Sequence, residues 1–357
     1  MDNRRLFIAA LLSLAVLLGW QALFPPPEPP EAGAPPVAAA APATATPAAE
    51  SPEPVMPEPA AVAAEAPPPL EALAAESEQE EVVETATLVA TFSNRGAELR
   101  SLRLKPQPQG LVEGIELVQG RDDGPYPFGY ATAAGAPSPL AEALFVVARE
   151  SSPEGEPRLV FRYRGPEGEA EKRFRFRNDG LIAVEAEARG VADGWSLLLG
   201  PGLRQLSREQ LESRFSRRAG AWSAGGEIGT LAPASASAAK ELPGVGLTWV
   251  GLEDSYFLAA VMPATPLRAA ILEPVLLGPG AVEGRWRAVP APAKPGDEQK
   301  GWPRDLRVRL VPEGSSLALV SFWGGKEYDR LTALPYGLEK SVRWGMFGFL
   351  ARPLLWG

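Results

Sequence analysis

Three hydrophobic patterns succeed one another along this chain. From Leu6 to Phe24 there is no charge at all. From Thr87 to Leu310 short segments alternate apolar and polar residues with a period of two. From Leu331 onward apolar residues recur every three or four positions. The first pattern predicts a helix able to cross a hydrocarbon core of ~30 Å. The second predicts antiparallel strands with one buried face, and the third an amphipathic helix. Arg4 and Arg5 precede the charge-free run with only Asp2 against them, which places the N-terminus in the cytoplasm and the chain beyond Phe24 on the outer side. Trp20 falls where aromatic side chains mark the outer interface. A cleaved signal peptide would need a shorter apolar core and a small-x-small site close behind it. Here Phe24 runs straight into Pro25-Pro26-Pro27, so residues 1–24 are expected to remain as an uncleaved anchor.

The alternating segments carry the fold expectation. Leu88, Ala90 and Phe92 share one side of a strand that turns at Ser93-Asn94-Arg95-Gly96, and Leu99 to Lys105 returns. Leu159, Phe161 and Tyr163 alternate with Val160, Arg162 and Arg164, and Leu306, Val308 and Leu310 with Arg307 and Arg309. The clearest hairpin is Lys172 to Arg189. A three-residue turn with Gly180 left-handed would set Phe176 against Ile182, Phe174 against Val184 and Arg173 against Glu185. Apolar sides and opposite charges then face each other across the ladder, so the arginine stripe reads as a solvated strand face. Ser207 to Phe215 is the one short helix expected in this region, with Ser207 and Gln210 as a capping box. No helical period is long enough for crossovers between parallel strands, and no blade repeat is visible. The expected class is mainly β: one large antiparallel β-sandwich over residues 82–326, about 245 residues.

Residues 25–81, between anchor and sandwich, are built almost entirely of Pro, Ala and Glu. They hold too little apolar surface to offset the entropy of ordering and read as an extended linker.

Composition narrows the chemistry. The chain has 0 His and 0 Cys. That removes the imidazole general base, every Ser-His-Asp or Cys-His constellation, disulfides, and His- or Cys-based metal sites. The carboxylate pairs Asp122-Asp123 and Glu253-Asp254 do not repeat at calcium-loop spacing and are expected to be structural. A net charge of −9 without a basic segment gives no footprint for nucleic acid. Neither an enzyme nor a cofactor is expected.

In residues 327–357, Leu331, Leu334, Leu338, Val342, Gly345 and Phe349 fall on one helical face, with Glu339, Lys340 and Arg343 off it. From Trp344 the stretch is apolar nearly all round, carries only Arg352 as a charge, and is too short to span. The whole segment from Leu334 to Trp356 is expected to lie in the outer membrane interface, with Trp344, Phe347, Phe349 and Trp356 as apolar anchors and Arg343 and Arg352 reaching lipid phosphates. The alternative is a helix packed on the β domain. The apolar surface left at the end of the chain implies that the natural chain continues.

A set of ordered stretches resembles the YidC family of bacterial inner-membrane protein insertases. They are Asn3-Arg4-Arg5 with the anchor ending in Trp20-Gln21-Ala22, Thr91 to Ala97, Leu102 to Lys105, Gly200-Pro201-Gly202-Leu203, Trp249 to Phe257, Gly325 to Leu331, and Trp344 to Trp356. The resemblance implies one transmembrane anchor, a periplasmic β-super-sandwich and an amphipathic helix on the periplasmic membrane surface. It also implies work on nascent inner-membrane client proteins in the lipid bilayer, alone or with the Sec translocon. The family's usual Gly-Pro-Lys turn reads Gly324-Gly325-Lys326 here. The family's membrane core, with its hydrophilic groove and Arg, would come after residue 357, so no insertion-site residue carries over.

Two other functions fit the sequence. One is a membrane-anchored, periplasmic glycan-binding protein, since super-sandwiches resemble sugar mutarotases. Its mark would be an aromatic platform such as Trp222, Trp249 or Trp302. The other is an anchored scaffold.

Overall fold

A computed structural model describes residues 71–106, 114–213, 216–282, 284–292, 294 and 296–343. The anchor at 1–24, most of the linker and everything after Arg343 lie outside these residues. Among the described residues no helix is long and apolar enough to cross a membrane.

Among the described residues eighteen strands form three antiparallel sheets. A small sheet holds β1 (Glu80–Glu84), β2 (Leu88–Ser93) and β3 (Glu98–Leu104) in that order. Next along the chain come β4 (Tyr130–Ala131), β5 (Val146–Ser151), β6 (Pro157–Gly165), β7 (Gly168–Phe176), β8 (Ile182–Arg189) and β9 (Ser196–Leu199). The second half supplies β10 (Ala219–Ala224), β11 (Glu227–Leu231), β12 (Lys240–Pro243), β13 (Leu247–Glu253), β14 (Phe257–Pro263), β15 (Leu267–Pro279), β16 (Trp286–Pro290), β17 (Arg304–Pro312) and β18 (Ser316–Gly325). The nine-stranded sheet runs β11-β10-β13-β14-β18-β8-β7-β6-β5. The six-stranded sheet runs β12-β15-β17-β9-β4, with β16 paired to β15. Sequence-distant strands therefore meet in the middle of the large sheet, where β18 joins β14 to β8.

The expected hairpin register is observed. Phe176 faces Ile182, Phe174 faces Val184 and Arg173 faces Glu185. Gly180 closes the turn at φ +80°, a conformation that crowds a Cβ against the following carbonyl in any L-residue. Each half-exposed arginine of the stripe meets a carboxylate: Arg173 with Glu185 at 3.3 Å, Arg175 with Glu156 at 3.2 Å, Arg177 with Asp179 at 2.6 Å. The inward side of these strands is aromatic. Phe92 of β2 and Phe174 of β7 have ring centroids 4.5 Å apart, and Phe161 of β6 stands edge-on to Phe174 at 5.8 Å. They belong to one core built from all three sheets, with Leu199, Val250, Leu272 and Val308 buried in it. The expected short helix is α1 (Arg208–Glu212), closed by the Ser207–Gln210 capping box.

Two expectations change. The domain begins before residue 82, because Leu73 exchanges backbone hydrogen bonds of 2.8 Å with Arg164, and β1 is already paired with β2 at Glu80. Strand pairing needs backbone groups and one buried anchor, here Val83, so the composition of residues 71–81 misplaced the boundary. The second change concerns residues 327–343. They form not one helix but a short α2 (Tyr328–Thr332), a break at Gly337 with φ +69°, and a 3-10 turn at Leu338–Ser341. Pro335 lacks the N–H a continuing helix would need, and Gly337 adopts the left-handed conformation that ends one.

Residues 334–343, expected in the membrane interface, instead pack with the rest of this broken segment on the β domain. Leu331 and Leu338 are fully buried against Trp249, Leu258, Met262 and Phe322, with Leu334, Tyr336 and Val342 beside them. Val250, Phe257, Val261 and Trp323 point the other way, into the main core. The centre of the nine-stranded sheet is therefore covered on both faces. That accounts for β14, where Phe257 to Met262 is buried at every position rather than every second one.

Candidate functional site

Three of the stretches that carry the family resemblance converge at one end of the nine-stranded sheet. β13 ends at Glu253, and Asp254-Ser255-Tyr256 turns the chain into β14. The Asp254 carboxylate organises the turn by accepting from the backbone N–H groups of Tyr256 and Phe257, each at 2.7 Å. β18 ends alongside, and the Lys326 N–H donates to the Tyr256 carbonyl at 2.8 Å. The loop after Gly200-Pro201-Gly202-Leu203 brings in Arg204, whose guanidinium donates to Asp254 and lies 5.3 Å from the centre of the Phe257 ring.

Glu253 is the hub. Its carboxylate is buried and meets the Lys326 ammonium at 3.0 Å through one oxygen and the Arg343 guanidinium at 3.4 Å through the other. Lys326 also donates to the Asp254 carbonyl at 3.3 Å. A buried carboxylate is costly unless paired, and here both oxygens are matched. This clamp holds the start and the finish of the C-terminal segment against the turn between β13 and β14, at the point from which the chain leads on to residue 344. Tyr256 stands out at the tip, 71% exposed.

Of the interface residues expected from sequence, Arg343 is the one described. Its side chain is 53% exposed while it contacts Glu253. Trp20, Trp344, Phe347, Phe349, Arg352 and Trp356 lie outside the described residues. Both carboxylate pairs are engaged in contacts within the fold. Besides the Glu253–Asp254 clamp, Asp122 accepts from the backbone N–H groups of Ala281 and Val282, the latter at 3.3 Å. Among the described residues no group of three or more acidic side chains is placed to hold a metal.

The aromatic platform does not assemble. Trp249 is fully buried under the C-terminal segment. Trp222 packs over Gly229 with the Lys240 ammonium 5.2 Å from its ring, and Trp302 packs over Gly278 in the other large sheet.

One buried site was not foreseen from the sequence. Lys172 has no exposed surface, and its ammonium donates to the carbonyls of Gly96 at 2.8 Å, Ala97 at 3.2 Å and Phe128, while lying 3.8 Å from the centre of the Tyr130 ring. Burial pushes its pKa down to about 7, against a partial pull upward from Glu98. Glu98, itself buried, is raised by the same desolvation, with Arg100 opposing. The signal was present in the parity: Lys172 shares the inward face of Phe174 and Phe176. The turn after β2 thus supplies two carbonyls to a cation from β7, which ties the small sheet to the large one.

Together these features define an antiparallel β-sandwich domain, capped on its large sheet by its own C-terminal segment. The sequence profile of the YidC periplasmic domain matches residues 81–357, and the chain belongs to the YidC family. It is 28% identical to the membrane protein insertase YidC of Geobacter metallireducens, over 99% of this chain and 63% of that protein. It is 27% identical to the membrane protein insertase YidC of Oleidesulfovibrio alaskensis, over 100% and 63%. The chain thus spans a little under two thirds of the length of these relatives. Among solved structures, it is similar to a galactose mutarotase-like protein from Lactobacillus casei, at 12% identity over 69% of this chain and 100% of that one, with a TM-score of 0.36.

Proposed function

We propose that this chain supplies the anchor and periplasmic domain of a membrane protein insertase, which assists the insertion, folding and assembly of inner-membrane proteins, alone or with the Sec translocon. The observation that carries the reading is the family match over 81–357, in register with relatives that are named insertases. The N-terminus is cytoplasmic, residues 6–24 cross the inner membrane, and the β domain stands in the periplasm on the linker. Residues 344–357 lie in the outer interface, with Trp20, Trp344, Phe347, Phe349 and Trp356 in the headgroup region and Arg343 and Arg352 at lipid phosphates. The Glu253 clamp supports this arrangement, because it fixes the direction in which the chain leaves the domain.

The test exchanges this chain for the matching part of a full-length relative in cells depleted of their own insertase. Growth and client insertion at the level of the unaltered relative are expected. A stable chimaera that inserts no client would reject the assignment. Recovery of a protein starting within the linker would reject the retained anchor.

A further inference from the structure

Beside the clamp lies an open cleft of about 890 Å³. Its walls come from the segment after α1, the β13–β14 turn, the start of β17, the end of β18, and Val342-Arg343. Five basic side chains line it: Arg217, Arg218, Arg304, Lys326 and Arg343. The acids in the same walls are already matched. Glu253 meets Lys326 and Arg343, Asp254 meets Arg204, and Glu212 meets Arg208 at 2.7 Å. Arg218 is held by Asp305 at 2.5 Å, yet its buried Nε has no partner.

Two cations remain without a carboxylate. Arg304 uses one nitrogen on the Ala236 carbonyl at 3.0 Å. Arg217 is exposed and makes no hydrogen bond or ion pair among the described residues. A concave wall with surplus positive charge, in a domain of an otherwise acidic chain, attracts an anion, and guanidinium groups match phosphate oxygens in geometry.

We infer that this cleft binds the phosphate of an anionic phospholipid headgroup, with Arg217 as its principal contact and Arg304 as a second. A lipid is favoured over a free anion by position. Arg343, which lines the cleft, immediately precedes Trp344 in the chain, and the exposed Tyr256 stands on the adjoining turn, an amphipathic side chain of the kind that sits at headgroup level. The inference rests on the proposed interfacial placement of residues 344–357, which brings the cleft within reach of the bilayer surface. Its consequence is a domain held at a set height and rotation over the membrane.

The test uses the full chain in neutral detergent, with native mass spectrometry of added phosphatidylglycerol, phosphatidylcholine or inorganic phosphate. One phosphatidylglycerol is expected to be retained well above phosphatidylcholine. Arg217→Glu should weaken that retention at least tenfold, and Arg217→Lys should keep most of it. Arg217 is exposed, so an unchanged thermal midpoint will show that both variants are folded. Retention indifferent to Arg217→Glu, or equal for the two lipids, overturns the inference. Displacement by millimolar phosphate makes the cleft a free-anion site and overturns it as well. Quenching of Trp344 by brominated lipids reads the underlying placement separately. Lost quenching with intact Arg217-dependent retention would sink the placement and leave the cleft standing.

Discussion

Glu253 and Lys326 lie 3.0 Å apart, both nearly buried, and join the last residue of β13 to the first residue after β18. Through this pair the domain controls where its C-terminal segment begins, and through Arg343 on the other carboxylate oxygen it controls where that segment leaves. Removing one partner of a buried pair strands the other charge, which costs about 3–5 kcal/mol. Lys326→Met is therefore expected to destabilise the domain by about 3 kcal/mol, since the half-exposed Arg343 compensates in part. The double variant with Glu253→Gln should recover a portion of that loss. Urea unfolding of the four proteins in a double-mutant cycle measures the coupling, and purely additive losses would contradict the clamp.

Leu331 and Leu338 seal the outer face of the nine-stranded sheet. Leu331→Ala is expected to cost about 2–5 kcal/mol, the range for a fully buried leucine, with a similar loss for Leu338→Ala. A segment that lay on the membrane would leave domain stability unchanged on either substitution, so chemical denaturation in the absence of lipid separates the two arrangements.

Lys172 gives the domain a defined pH response. Its pKa is about 7 in the folded chain against an ordinary 10.5. Below about 7 both states hold the proton. Between 7 and 10.5 the unfolded chain holds a proton the folded chain has released, so this contribution to stability rises with pH, by at most about 1.4 kcal/mol per unit. Glu98, raised above its ordinary 4.5, works in the opposite sense as pH rises through its own folded value. With Glu98→Gln as background, Lys172→Met should flatten the slope of unfolding free energy between pH 7 and 9. An unchanged slope would place the titration elsewhere.

Gly180 makes the turn between β7 and β8. Gly180→Ala is expected to lose about 1–2 kcal/mol, because an L-residue at φ +80° is strained and the new methyl would also sit 2.9 Å from a nitrogen of Arg330. Thermal unfolding checks this, and a gain in stability would mean the turn can relax to another type.

Much of this protein was legible from its sequence because the relevant physics is local. A period of two forces alternate side chains to opposite faces, so the β7–β8 register could be derived from Phe174, Phe176 and their charged neighbours alone. The cap of α1 was readable in Ser207 and Gln210, which satisfy each other's backbone groups within a single turn. The absence of His and Cys removed imidazole and thiolate chemistry before any coordinate was needed.

What only the tertiary structure decided depends on groups far apart in the chain. Leu331, Leu334 and Leu338 have helical spacing, but spacing does not say whether an apolar face meets lipid or protein. The unalternating β14 beneath them needed a cover, and that need settled it. Glu253 and Asp254 looked like an ordinary acidic pair until β18, the Arg204 loop and Arg343 were brought to them. Lys172 was in plain view on an inward face, yet its burial depended on three carbonyls from two distant segments. A buried charge is tolerated only where the whole fold supplies its partners, and no stretch of sequence carries that information by itself.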